Sequence, residues 1–173
     1  MNYSYKQIML ITLPVMMSVL IEQLINITDA IFLGHVGEIE LGASALAGIY
    51  YLALYMLGFG FSLGLQVLIA RRNGEGSYNQ TGKTFFQGLY FLLSLAIVLI
   101  ILSKWLSPYL LRNLISSPDI YAAVLKYQDW RIFGLLFALP SLACRSFLVG
   151  IIRTKIMSYH ELVMVLVNIG LNY

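Results

Sequence analysis

The sequence predicts an all-α protein, a polytopic bundle of membrane helices, on three observations. Hydrophobic residues make up 60% of the chain and charged residues only 11%, with a mean hydropathy of +0.81; a soluble domain could not solvate its surface with so few polar groups. The apolar residues fall into runs comparable with the ~20 that a helix needs to cross a ~30 Å hydrocarbon core. Most charged residues gather between those runs, and their weak balance of +3 reads as membrane topology rather than as a nucleic-acid footprint.

The first span covers 8–33. It outlasts the apolar region of a signal peptide, holds Pro14, Glu22 and Asp29, and precedes no small-residue cleavage site, so it is expected to remain as a helix. The second, 44–70, ends at Arg71-Arg72; the third covers 84–102; the fourth, 132–152, ends at Arg153 and Lys155. A fifth, 162–173, supplies only about 18 Å of helix at 1.5 Å per residue, so the chain reads as truncated within a helix. The connection 107–130 is too long and too apolar for a bare loop. Leu110, Leu111, Leu114 and Ile115 predict a short amphipathic helix on the membrane surface, broken by Ser116-Ser117-Pro118.

Charge orients the bundle. Gly34 to Gly42, with Glu38 and Glu40, reads as an acidic loop punctuated by glycines, whereas Arg71 to Ser77 reads as a basic turn. By the positive-inside rule Arg71, Arg72, Lys83, Arg153, Lys155 and Lys6 place their side, and the N-terminus, in the cytoplasm. Lys104, Arg112, Lys126 and Arg131 then lie outside, against the rule, with Asp119 and Asp129 beside them.

Polar residues inside the spans carry the functional signal. Glu22, Asn26 and Asp29 are spaced four and three apart, and at about 100° per residue they share one stripe of the first helix. An ionisable group near the bilayer centre costs at least ~2.5–3.5 kcal/mol, so it faces protein, water or an ion. The stripe is either part of a pathway or a polar patch packed on another helix. In the second span Tyr51, Tyr55, Phe59, Ser62 and Gln66 fall within about 80° of one another, with Gly60 and Gly64 opposite. Small residues four apart allow close helix approach, so the glycine side is expected to pack. Tyr51, Tyr55 and Gln66 would then line a cavity whose rings suit a flat organic cation; ordinary aromatic packing is the alternative. Asn168 and Asn172 share a face of the last segment and either bond to a neighbouring helix or offer carbonyl oxygens to a cation. Joined to the Asp29 carboxylate they make a hard-oxygen set suited to Na⁺, and a carboxylate at membrane depth suits proton exchange equally. Arg145 lies about 12 Å from the end of the fourth span and either snorkels or pairs with an acid.

Enzyme and cofactor chemistry finds little support. Cys144 is the only cysteine, so the chain can form no internal disulfide. His35 and His160 have no second histidine at helical spacing, and Gly58-x-Gly60-x-x-x-Gly64 misses the dinucleotide spacing. Asn79-Gln80-Thr81 fits a glycosylation sequon but falls in the loop placed inside. No catalytic residue and no cofactor is expected.

Several pieces in order resemble one family. Pro14, the run Ile27 to Gly34 followed by Gly37, Leu41 and Gly42, the Gln66 to Gly76 turn, Arg145-x-x-x-x-Gly150 and Asn168-x-x-x-Asn172 resemble the N-terminal portion of MATE (multidrug and toxic compound extrusion) transporters. The resemblance implies a two-lobe transporter, inward- or outward-facing by turns, of which this chain would be an incomplete N-terminal half. It implies antiport of organic cations and other amphiphilic drugs against Na⁺ or H⁺, with Asp29, Asn168 and Asn172 in the coupling site and Glu22 and Asn26 along the pathway. Some relatives carry aspartate at the position of Asn172, which leaves the choice of ion open. The implied partners are membrane lipid, a small amphiphilic or cationic substrate and the missing C-terminal half, without nucleic acid. The implied location is the bacterial inner (plasma) membrane. The rivals are a lipid-linked oligosaccharide flippase of the same superfamily, against which the few basic residues in the spans argue, and a purely structural membrane subunit.

Overall fold

Long apolar runs with few internal breakers satisfy their backbone groups only as long helices when water is absent. The computed structural model describes residues 5–154 and, beyond them, 156, 159, 163, 166 and 167. Over 5–150 its elements are α1 (Tyr5–Val36), α2 (Glu38–Gly74), α3 (Tyr78–Leu114), α4 (Pro118–Arg131) and α5 (Leu135–Gly150), with a 3-10 turn at Ile132–Gly134 carrying α4 into α5. Among the described residues, α2, α3 and the continuous 33-residue run Pro118–Gly150 are long and apolar enough to cross a membrane. At 37 residues each, α2 and α3 are roughly 55 Å long, so both overreach a ~30 Å hydrocarbon core.

The connections are shorter than the composition suggests. The acidic segment read as a loop from Gly34 to Gly42 is helical except at Gly37, whose backbone is extended. Leu41 N–H donates to the Gly37 carbonyl at 3.0 Å, which starts α2 at once. The basic turn closes α2 with a Schellman motif: Ser77 N–H donates to the Arg72 carbonyl at 3.0 Å and Gly76 N–H to the Asn73 carbonyl at 3.1 Å. Gly76 sits at φ 73°, where a side chain would be strained.

The segment 107–130, read as one interfacial connection, is divided in the structure. Residues 107–114 prolong α3, and the chain breaks between Leu114 and Pro118, which opens α4 at its first turn. Pro108 does not end α3, because Ser107 and Leu111 are buried and Leu111 packs with Ala43, Ala47 and Val124. Tyr121 Oη adds a hydrogen bond to the Pro108 carbonyl at 3.2 Å. Tertiary packing here outweighs the helix-breaking tendency of proline.

One core lies among α2, α3 and α5, built on Leu65, Ile69, Leu92, Ala96, Leu135 and Leu139; a smaller one joins the start of α2 to α4. Small residues set the helix separations. A Cβ at Gly58 would collide with Leu139, one at Gly88 with Leu65, and one at Gly150 with Ile69 and the backbone of Ala70. The face of α2 expected to pack is the open one: Gly60 and Gly64 are exposed and meet nothing within 4 Å among the described residues. The packed face instead carries Ala43, Ala47, Gly58, Ser62, Leu65 and Ile69.

Candidate functional site

Helix α1 carries Glu22, Asn26 and Asp29 in unbroken helix, and it meets chiefly α2 among the described residues. Asn26 is exposed, while the side chains of Glu22 and Asp29 lie outside what is described. Thr28, between them, donates to the Leu24 carbonyl at 2.8 Å and so spends its hydroxyl on its own helix. Asn168 and Asn172 lie outside the described residues altogether. The three-residue coupling site is therefore an expectation of the sequence.

The aromatic stripe of α2 is placed in detail. Tyr51, Tyr55 and Phe59 are half-buried and pack on the main core, with the Tyr55 and Phe59 rings stacked at 6.5 Å. Ser62 is buried below them and donates to the Phe59 carbonyl at 2.7 Å. Its own carbonyl accepts a hydrogen bond from Ser146 Oγ of α5 at 2.7 Å, a buried polar tie between two apolar helices. Gln66 is half-buried one turn further on.

Tyr51 also belongs to a constellation that the sequence did not reveal. The Arg131 guanidinium lies over its ring at 5.2 Å and over Tyr127 at 5.5 Å, and Arg131 Nη1 donates to Tyr127 Oη at 2.9 Å. Gly134 lets this happen, since a Cβ there would approach Tyr51 Oη to 3.2 Å. The legible signal was Tyr127 four residues before Arg131 on one helix; its partner on α2 was not legible. Nearby, Lys104 pairs with Asp129 at 3.6 Å and lies 5.0 Å from the Phe133 ring centroid. At the opposite end Arg72 bridges α2 to α3, donating to Thr84 Oγ1 and to the Gln80 carbonyl. Arg145 is half-buried in α5.

Among the described residues no group of three His, Cys, Asp or Glu side chains is placed to hold a metal ion. What the geometry supports is helix-bundle architecture with buried polar ties and, at one end, two cations held over aromatic rings. Long apolar helices packed through small and weakly polar residues, with large apolar side chains such as Leu52, Leu57, Leu63 and Val67 turned outward, define an integral membrane protein.

The comparisons carry this to a family. A family model, MatE, matches residues 14–173, and the chain belongs to the MatE family. The family consists of membrane transporters rather than enzymes. The chain is similar to the probable multidrug resistance protein NorM of Agrobacterium fabrum, 25% identical over 95% of this chain and 35% of that protein. It is likewise similar to the NorM proteins of Rhizobium meliloti, 27% identical over 86% of this chain and 32% of the relative, and of Photorhabdus laumondii subsp. laumondii, 26% identical over 97% and 37%. The chain thus spans about a third of the length of the curated relatives it matches. No solved structure gives a significant match.

Proposed function

We propose that this chain forms part of a cation-coupled antiporter that exports organic cations and other amphiphilic drugs or toxins by alternating access. The observation that carries the reading is the MatE match over 14–173, which takes in Asp29, Asn168 and Asn172, joined to relatives that bear the name of multidrug resistance proteins. In this reading Asp29, with the amide oxygens of Asn168 and Asn172, holds Na⁺ or H⁺ in one state and releases it when drug occupies the pathway. Occupancy of the two sites is mutually exclusive, and that exclusion is the coupling. One charge moving down 100 mV supplies ~2.3 kcal/mol, enough for a modest drug gradient. Glu22 and Asn26 lie along the same face as Asp29 and serve as pathway residues, with Tyr51, Tyr55 and Gln66 toward the drug side.

The basic end, with Arg71, Arg72, Lys83 and Arg153, faces the cytoplasm of a bacterial inner membrane, and the N-terminus lies on that side. The test is efflux of a fluorescent cation from a pump-deficient bacterium expressing the full-length protein or its Asp29→Asn variant, with the Na⁺ and proton gradients collapsed separately. Loss of efflux in the variant and on collapse of one gradient is expected. Efflux by Asp29→Asn at the wild-type rate, from equal amounts of inserted protein, would remove the coupling site from the reading.

A further inference from the structure

The end of the bundle at the α1–α2 turn holds a cleft of about 740 Å³ between the start of α2 and the last turns of α4, lined by Glu40, Ala43, Lys126, Tyr127, Trp130 and Arg131 among others. Half-buried Arg131, its guanidinium held over two tyrosine rings, forms part of its wall. A guanidinium carries five N–H donors. Arg131 spends one side of its fork on Tyr127 Oη, and no carboxylate pairs with it among the described residues, where the ion pairs are Arg71–Glu75 and Lys104–Asp129. The remaining N–H donors of the guanidinium are open to an anion entering the cleft. Lys126 adds a second cation at the same place.

The level of the cleft says where such an anion comes from. Lys104 of α3 pairs with Asp129 of α4 and so stands at the height of Trp130 and Arg131. From Thr84, which meets Arg72 at the other end, to Lys104 is about 30 Å of helix, the thickness of the hydrocarbon core. Trp105 and Trp130 are 82% and 79% exposed at this height, as belongs to indoles at a membrane interface. The cleft therefore opens among lipid head groups. Glu40, on the α2 side, brings a carboxylate, and the open face of Trp130 can carry a cation. Cationic and anionic groups in one interfacial cleft complement a zwitterion: its phosphodiester meets Arg131 and Lys126, and its ammonium meets Glu40 and Trp130. A primary ammonium can donate hydrogen bonds to a carboxylate, which a quaternary one cannot.

We propose that this cleft is a binding site for a phospholipid of the phosphatidylethanolamine class from the adjoining leaflet. None of the charged groups in the cleft belongs to the coupling site, so lipid binding and cation coupling are tested apart. Native mass spectrometry of the full-length protein, titrated separately with phosphatidylethanolamine, phosphatidylcholine and phosphatidylglycerol, tests it. Wild type is expected to retain phosphatidylethanolamine best, R131Q to lose about tenfold in its affinity, E40Q to bind it no better than phosphatidylglycerol, and R112Q, outside the cleft, to match wild type. Equal retention of the three lipids by wild type, or R131Q binding as wild type does, overturns the site. Soluble glycerophosphoethanolamine binding as tightly as the lipid overturns the lipid as occupant. Should R131Q fail to fold, the exposed K126Q replaces it: weakened phosphatidylethanolamine binding supports the site and unchanged binding overturns it.

Discussion

Gly150 and Gly60 give opposite outcomes for one substitution, glycine to alanine, and the structure sets both signs. An added Cβ at Gly150 lies 2.6 Å from Ile69 Cγ2, 3.1 Å from Ile69 Cβ and 3.2 Å from the backbone nitrogen of Ala70. Carbon contacts relax to about 3.5–4.0 Å, so α5 must retreat from α2 by several tenths of an ångström or more. Ile69 is fully buried and cannot swing aside. Overpacking of this kind costs about 1–3 kcal/mol, against at most ~1 kcal/mol gained in helix propensity, and Gly150→Ala is expected to lose about 1–2 kcal/mol. Gly60 meets nothing within 4 Å among the described residues, and there the propensity term stands alone. Gly60→Ala is expected to gain about 0.5–1 kcal/mol. Thermal unfolding of the full-length protein in a mild detergent, followed by the monodisperse fraction on size exclusion, separates the two. Greater destabilisation by Gly60→Ala than by Gly150→Ala would refute the assignment of the packed face of α2.

Three further outcomes follow from single residues. Ile152 sits at φ 61°, where a β-branched side chain is strained, so Ile152→Gly should stabilise the end of α5 by about 1 kcal/mol in the same assay, and a loss would contradict the strain. Both polar atoms of the buried Gln128 amide lack a hydrogen-bond partner among the described residues; Gln128→Met, of similar shape, should raise stability by about 1–2 kcal/mol, whereas a drop would reveal a partner. Ser146→Ala removes the hydrogen bond to the Ser62 carbonyl and should cost about 0.6–1.5 kcal/mol, with no effect expected from Ser141→Ala, whose exposed hydroxyl bonds only within its own helix.

The candidate site was legible in part. Glu22, Asn26 and Asp29 stand out because a polar group in an apolar run is costly, and their helical spacing needs no tertiary knowledge. Tyr51 and Tyr55 were legible as a stripe, but their surroundings were not. Tyr51 proves to share Arg131 with Tyr127 across two helices, and Arg131, read from sequence as one more loop charge, closes that group. Contacts between residues some 80 positions apart leave no trace in local spacing.

Membrane class, helical character and the break before Pro118 were determined by the sequence alone, because partition into lipid and backbone saturation are local properties of each run. Which side of each helix packs was decided only by the tertiary structure. In water a helix declares its buried face by hydrophobicity; in lipid both faces are apolar, and the signal is erased. In α2 the outward side holds Leu52, Met56, Leu63 and Val67, and the inward side Ala47, Gly58 and Ser62 beside Leu65 and Ile69. The shapes of α3 and α5, through Leu139 against Gly58, Leu65 against Gly88 and Ile69 against Gly150, chose that side over the equally spaced Gly60 and Gly64.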